Sequence, residues 1–186
     1  MAIQKDFKNQ NVGLVVLLIL LFLVGFGIVS LYQTQKTTDT TGKVLPKTAK
    51  LSIVSDKKTV SAGESFTVKL LLDSGNQAVE AADFTLTFDP KYLQVKNVAP
   101  GSYFKSYPVN KTEEDTVKIS AVAYFDGSSV IIPKGRGDVA SITFSAVTPV
   151  AKTSINIDPV KTAIASKGQN ILAANKITDF SIRVRK

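Results

Sequence analysis

The chain has 186 residues, 44% of them hydrophobic, which allows one ordinary domain with a core of its own and an additional segment. It contains neither cysteine nor histidine, and this excludes disulfides, thiol catalysis, Cys/His zinc sites and a Ser-His-Asp triad. The formal net charge of +8 is spread along the chain without a dense basic stripe, so nucleic acid is not expected as a partner.

An uncharged apolar segment, VGLVVLLILLFLVGFGIVSLY, covers residues 12–32. Its 21 residues would form a helix of about 31 Å, close to the hydrocarbon thickness of a bilayer. The alternative is a cleaved signal peptide, but its apolar region is usually shorter, and the following SLYQTQK has no small-x-small cleavage site. We therefore predict an N-terminal cytoplasmic tail over 1–11 and an uncleaved transmembrane helix over 12–32, which makes the lipid bilayer a partner.

The orientation of this helix does not follow from charge, because lysines flank the span on both sides. The arrangement with the N-terminus inside is chosen because the rest of the chain has the pattern of a surface domain. It predicts a single-pass protein of the cell membrane whose C-terminal domain is extracytoplasmic. Residues 33–49, rich in Thr and Lys and poor in apolar residues, predict a flexible linker.

From residue 50 onward the apolar residues recur at every second position, which is the pattern of half-buried strands. The alternation is clearest in the segments 66–72, 84–88, 117–123, 140–146 and 180–184. Turn-forming stretches such as SAGES, DSGNQ and PKGRG separate the segments, and none shows a sustained helical period. The pattern predicts an all-β domain over 50–186, a two-sheet antiparallel β-sandwich of eight or nine strands.

One predicted strand, in FTLTFDPKYLQV, stops abruptly at Asp89-Pro90 and is followed by Leu93. Proline has no N–H for a sheet ladder, and it biases the preceding residue toward extended geometry. The Asp89 side chain can accept a hydrogen bond from the backbone two residues later. We therefore predict a turn here, after which Leu93 and Val95 return the chain to the core.

Two stretches of this domain resemble the cohesin family. Residues 60–104, VSAGESFTVKLLLDSGNQAVEAADFTLTFDPKYLQVKNVAPGSYF, contain a G-(D/E)-x-F strand, a strand ending in F-D-P-x-x-L and a P-G. Residues 137–147, GDVASITFSAV, are similar to a late strand of the family. The resemblance implies a jelly-roll sandwich that binds a dockerin-like or other protein partner on the outer face of one sheet, without catalysis.

The resemblance also implies a place for the partner. An Asn-x-Asp pair of the family corresponds to Ala81 and Asp83, so the Asp is kept and the Asn is replaced. From the alternation alone, Asp83, Thr85 and Thr87 point away from the core side of their strand. These three are the predicted partner-binding residues. The alternative is an ordinary solvated face.

Three aromatic residues, Tyr103, Phe104 and Tyr107, lie close together in the loop PGSYFKSYPVN. Aromatic rings stack on sugars and are favoured at protein interfaces. They are therefore candidate sugar or partner contacts, and polysaccharide binding is the second functional hypothesis. The alternative is that they close one end of the sandwich. A third hypothesis is a structural component of an envelope complex.

Acidic residues do not form a recognisable site. Glu113, Glu114 and Asp115 are consecutive, while Asp126 and Asp138 lie in later loops. Carboxylates could hold Ca²⁺, but no D-x-D-x-D spacing is present and a solvated turn is favoured. No pair of carboxylates is marked for glycoside hydrolysis. We predict no catalytic residue, no metal site and no cofactor, and hence no enzyme.

Overall fold

The computed structural model describes residues 44–186, and these residues form a β-sandwich without helix. Fifteen strands follow one another within residues 44–186, several of them only two to four residues long, where eight or nine were predicted. They are β1 (Ala49–Val54), β2 (Thr59–Ser61), β3 (Ser65–Asp73), β4 (Ala81–Phe88), β5 (Leu93–Pro100), β6 (Ser106–Thr112), β7 (Thr116–Val122), β8 (Tyr124–Phe125), β9 (Val130–Ile131), β10 (Arg136–Ala146), β11 (Val150–Ile157), β12 (Ala163–Ser166), β13 (Gln169–Asn170), β14 (Leu172–Thr178) and β15 (Phe180–Arg185).

Two sheets make up the sandwich, as predicted. A five-stranded sheet has the order β14-β1-β3-β10-β5. An eight-stranded sheet has the order β13-β12-β4-β11-β15-β2, with β7 pairing both β4 and β6. β8 and β9 form a separate hairpin. Pairing is mostly antiparallel, but β1 with β14 and β15 with β2 are parallel. The predicted antiparallel pairing does not hold at these two pairs, which join segments far apart in sequence and need no hairpin.

The apolar alternation of the sequence is reproduced as burial. The inward residues of β3 and β4, among them Phe66, Leu70, Phe84 and Leu86, belong to one hydrophobic core cluster. The inward residues of β7, β10 and β15 join the same cluster. Ala123 is the exception, because β7 ends at Val122 and Ala123 is only partly buried. Burial of one face from each sheet is the main source of stability in such a sandwich.

The turn predicted at Asp89-Pro90 is confirmed. β4 ends at Phe88, and the Asp89 Oδ1 accepts a hydrogen bond from the backbone N of Lys91 at 2.9 Å. The carbonyl of Asp89 also accepts a hydrogen bond from the backbone N of Leu93 at 3.0 Å. Leu93 is fully buried, so the turn returns the chain directly to the core.

The domain begins earlier than the sequence indicated. The fully buried Ala49 starts β1, one position before the predicted boundary at Lys50. The backbone N of Leu45 donates to Gln169 Oε1 at 2.9 Å, and Gln77 Nε2 donates to the carbonyl of Pro46 at 2.9 Å. Hence the last residues of the predicted linker are part of the domain.

Residues Val44–Lys186 form one compact unit with its own core, as expected of a domain that folds independently. No helix within residues 44–186 is long and apolar enough to cross a membrane. The predicted tail over 1–11 and the predicted transmembrane helix over 12–32 lie outside the described residues, as does most of the predicted linker over 33–49.

Candidate functional site

The predicted binding strand, β4, is paired along both of its edges. β7 pairs with 81–87 on one edge. On the other edge β12 pairs with 81–83 and β11 with 86–88. Phe84, Leu86 and Phe88 point into the core. The opposite side of the eight-stranded sheet, here called the outer face, carries Ala81, Asp83, Thr85 and Thr87 along this strand.

Asp83 is exposed on the outer face and is held in place from the neighbouring strand. Ser120 lies directly opposite on β7, and its Oγ donates a hydrogen bond to Asp83 Oδ1 at 2.5 Å. On the other edge its partner is Ala163, whose side chain is too small to cover a carboxylate. The Asp83 carboxylate is therefore positioned and still open to a binding partner.

Thr85 was expected to be available to a partner, but the structure shows that it is buried, with 6% of its surface exposed. The reason is a gap between β11 and β12, which pair with different halves of β4 and leave room for the segment 158–162 to cross it. The backbone N of Thr85 donates to Thr162 Oγ1 at 3.2 Å, and Thr85 Oγ1 donates to the carbonyl of Lys161 at 3.4 Å. Thr85 thus fixes this crossing segment.

Thr87 is partly exposed on the outer face. Its cross-strand neighbours are Thr116 on β7 and Asn156 on β11. A shallow pocket of about 430 Å³ opens beside it and is lined in part by Asp89, Tyr92, Lys152 and Asn156. Thr87 and Asp83 are therefore on the same face, separated by the buried Thr85.

The charge of the outer face is unusual because Asp83 is the one acidic residue in all eight strands of this sheet, each of which lies within residues 44–186. The basic residues in the same strands are Lys111 and Lys118, which both pair with Glu113, and Lys152, Arg183 and Arg185, so the strands keep a positive excess. A single carboxylate in a cationic surrounding favours a partner that has hydrogen-bond donors opposite Asp83 and acidic groups around them. The alternation of the sequence is enough to predict that Lys118 and Ser120 point outward. That Ser120 lies opposite Asp83 is known only from the structure.

Two residues of the acidic stretch 113–115, Glu113 and Asp115, bond to neighbouring side chains of the protein. Lys118 Nζ contacts Glu113 Oε2 at 2.8 Å, and Lys111 Nζ contacts Glu113 Oε1 at 3.2 Å. The hydrogen bond from Lys118 and then that from Lys111 lower the pKa of Glu113. Thr116 Oγ1 donates to Asp115 Oδ1 at 2.7 Å. Among residues 44–186 no three acidic side chains are grouped as metal ligands.

The three aromatic residues of the candidate loop pack against each other at the end of the sandwich. Phe104 is fully buried and Tyr103 is 8% exposed, with ring centroids 5.0 Å apart. Tyr107 is partly buried, and its ring lies 6.1 Å from that of Phe104. The hydroxyl of Tyr107 donates to the carbonyl of Val139 at 2.8 Å. Tyr103 and Phe104 therefore offer no open ring face for a sugar.

The Tyr103→Phe substitution is expected to reduce the loss of stability at alkaline pH. The hydroxyl of Tyr103 donates to Ser74 Oγ at 2.9 Å in a buried position, and burial raises the pKa of Tyr103 above its ordinary 10.0. A raised folded-state pKa contributes stability that is present below pH 10 and is lost as the pH rises through the folded pKa. Urea unfolding of residues 44–186 between neutral and strongly alkaline pH measures this.

The variant itself should cost about 1 kcal/mol at neutral pH, because it removes one buried hydrogen bond. Its stability should then fall less steeply than that of the parent above the ordinary tyrosine pKa. Superimposable pH profiles for parent and variant would show that the Tyr103 hydroxyl does not titrate in a buried environment.

The fold defines a class of protein: a two-sheet β-sandwich module of the cohesin type. The family model for the cohesin domain matches residues 49–184, which is more than half of the chain. This chain belongs to the cohesin family, whose domains are non-catalytic binding modules. No curated protein sequence matches it.

Solved cohesins share this fold at low sequence identity. The third cohesin of ScaC from Acetivibrio cellulolyticus, solved in complex with the ScaB dockerin, is 18% identical with a TM-score of 0.60, and the match covers 73% of this chain and 99% of that chain. CaCohA2 from Clostridium acetobutylicum is 15% identical with a TM-score of 0.61, covering 73% and 91%. A non-cellulosomal cohesin from the archaeon Archaeoglobus fulgidus is 14% identical with a TM-score of 0.57, covering 74% and 91%.

Proposed function

We propose that this protein is a membrane-anchored cohesin that binds a dockerin-like protein outside the cell through the outer face of its eight-stranded sheet. Residues 12–32 hold the chain in the cell membrane, and the linker lets the domain search the space near it. Recognition uses a preformed surface and involves no chemical step. The support comes from the family, from the outer face and from the apolar segment of the sequence.

The observation that carries the proposal is the placement of Asp83. It is the one carboxylate in the strands of the outer face, Ser120 orients it, and β4 is held on both edges. Because the Asp83 carboxylate is held rigidly and is surrounded by basic residues, it favours partners whose charges are complementary to this face. Several of the similar cohesins were solved as complexes with dockerins, which supports a dockerin-like partner for this chain.

The outer face also differs from the family pattern in a way that affects specificity. Ala81 stands two positions before Asp83, where the family has an asparagine, and it is only partly buried. The loss of an amide removes two donors and an acceptor from the face. We therefore infer that the partner recognises Asp83 without the usual neighbouring amide, so that many ordinary dockerins bind weakly.

The Asp83→Lys substitution is expected to weaken partner binding about tenfold or more, because it removes the only strand carboxylate of the outer face and adds a like charge to a cationic surface. Binding is measured by calorimetry between residues 44–186 and purified dockerin modules of different specificity. The midpoint of urea unfolding should change little, since Asp83 is exposed.

Asp56→Lys is the matched control. Asp56 is exposed in the turn between β1 and β2, away from the outer face, so this charge reversal should leave affinity nearly unchanged. Equal losses for the two variants would indicate a general charge effect. If no dockerin module binds the parent domain, the dockerin-like partner is wrong. If Asp83→Lys binds as the parent does, the assignment of the face is wrong.

A further inference from the structure

The hairpin β8–β9 exposes apolar side chains on both of its faces. Tyr124 pairs with Ile131 and Phe125 pairs with Val130, and paired residues of two strands point to the same side. Tyr124 is 43% exposed and Phe125 59% exposed, and Val130 and Ile131 are exposed as well. A two-stranded hairpin is marginal in water without a surface to pack on. Such a patch therefore indicates a contact outside the domain.

The tip of the hairpin is ordered and charged. Asp126 Oδ1 accepts hydrogen bonds from the backbone N of Ser128 and of Ser129, each at 2.9 Å, and from Ser128 Oγ at 2.8 Å. These hydrogen bonds, led by that from Ser129, lower the pKa of Asp126 to about 2. An ionised carboxylate at the tip disfavours insertion of the tip into hydrocarbon. The apolar residues beside Asp126 fit a hairpin that lies parallel to a membrane surface, between the polar headgroups and the hydrocarbon.

The hairpin lies at the end of the sandwich where the chain enters, here called the entry end. At this end Lys50 near the start of β1 is opposite Asp73 at the end of β3, and Ala81 at the start of β4 is opposite Val122 at the end of β7. The base of the hairpin is fixed there, because the backbone N of Val79 donates to the carbonyl of Pro133 at 2.8 Å.

The residues that lead into β1 reach the same place. Gln77 Nε2 donates to the carbonyl of Pro46 at 2.9 Å and to Thr48 Oγ1 at 2.6 Å. Gln77 and Val79 belong to the same loop between β3 and β4, so a single loop contacts both the entering chain and the base of the hairpin. The apolar hairpin and the entry point of the polypeptide are therefore neighbours.

The entry end also carries unpaired positive charge. Lys47, Lys50, Lys134 and Arg136 are exposed there, and none of them forms an ion pair within residues 44–186. Acids are present as well: Asp73, which is opposite Arg136 in the sheet, together with Glu80 and Asp126. Apolar and aromatic side chains beside Lys and Arg are the composition of surfaces that bind anionic lipid.

Only a short stretch of sequence separates the proposed anchor from the described domain. Residues 33–43 separate the apolar segment from Val44, and a chain of eleven residues reaches at most about 38 Å when extended and about 18 Å on average when flexible. A weak lipid contact becomes effective at such a distance, because tethering raises the local concentration.

We propose that the β8–β9 hairpin is a lipid-binding element that lies in the headgroup layer of an anionic bilayer. This inference rests on the membrane anchor in the proposed function. Because both faces of the hairpin carry apolar residues, it fits the headgroup layer, which would contact it from both sides. The four paired residues of the hairpin are far fewer than the 20–30 residues a side of a standard protein interface, about 800 Å² per partner.

The test uses the absence of tryptophan from the chain. Phe125→Trp introduces a single fluorophore on the hairpin of the full chain, which is reconstituted in vesicles of phosphatidylcholine and phosphatidylglycerol. Lipids brominated near the headgroup end of their acyl chains should quench this tryptophan at least about twofold, since interfacial elements lie 5–10 Å into the boundary. Val147→Trp is the matched control, because Val147 is 48% exposed and lies beyond β10 at the opposite end, where no quenching is expected.

Flotation of the same vesicles separates the two proposals. If the chain does not float with lipid after alkaline extraction, the anchor itself is wrong. If the chain floats but position 125 is quenched no more than position 147, the anchor stands and the hairpin contact is overturned. Emission at position 125 that shifts to the blue with rising protein concentration, without bromine quenching, would show that a second copy covers the hairpin and would also overturn the lipid contact.

Discussion

The Phe144→Ala substitution is expected to lower the free energy of unfolding by about 3–5 kcal/mol. Phe144 on β10 is fully buried. Its ring lies 5.8 Å from that of Phe66 in the same sheet and 5.3 Å from that of Phe88 in the other sheet. Truncation removes contacts within the five-stranded sheet and between the two sheets, and the rigid backbones on either side cannot collapse onto the cavity. Domains of this size are stable by only about 5–15 kcal/mol, so the loss is severe.

Urea unfolding of residues 44–186, followed by circular dichroism, measures this loss. Phe125→Ala is the matched control, because it removes the same atoms from a side chain that is 59% exposed and should change stability by no more than about 0.5 kcal/mol. A similar change for both variants would contradict the position of Phe144 between the sheets. A small effect of Phe144→Ala alone would mean that the core repacks around the gap.

The alternation of the sequence was sufficient to predict the two-sheet architecture. Strands β3, β4, β7, β10 and β15 follow it closely, because each buries one face and the side-chain period of a strand is two. The Asp89-Pro90 turn was also predictable, since its geometry depends on residues adjacent in sequence. Local chemistry and one-sided burial are therefore the parts of this fold that the amino-acid sequence expresses directly.

The partner face was predicted only in part, because availability depends on contacts between distant segments. Asp83 is exposed as expected, whereas Thr85 is covered by residues 158–162 and Tyr103 is inside the protein. The short paired strands β8 and β9 have no alternation long enough to detect. Nothing in the residues near position 83 indicates that Ser120 is its partner, since the register of β7 against β4 is a property of the assembled sheet.

The sequence marks Pro100-Gly101 as a turn, but the reason why position 101 must be glycine is visible only in the structure. A Pro-Gly pair is typical of a turn, and a P-G is part of the family pattern. The structure adds a steric reason, because Gly101 crosses the bulge of β10 between Asp138 and Ala140. Its backbone N donates to the carbonyl of Val139 at 2.7 Å. A turn tolerates several residue types, but this crossing requires the absence of a side chain.

We therefore expect Gly101→Ala to destabilise the domain by about 3 kcal/mol or more, at the upper end of overpacking effects. A Cβ at position 101 would lie 2.1 Å from the carbonyl oxygen of Asp138 and 2.7 Å from the carbonyl carbon of Val139. These are backbone atoms of a central strand, so relief requires moving β5 away from β10. That movement would also break the hydrogen bond from the backbone N of Gly101 to the carbonyl of Val139.

Gly127→Ala separates this steric effect from the loss of a glycine in general. Gly127 has a φ of +99° and open space where the methyl group of an alanine would lie, so alanine there meets only backbone strain of about 1–2 kcal/mol. Thermal unfolding of both variants gives the comparison, and the Gly101 variant should melt well below the Gly127 variant. If the order is reversed, β5 does not approach β10 as closely as the structure shows, and the PG pair acts through its turn alone.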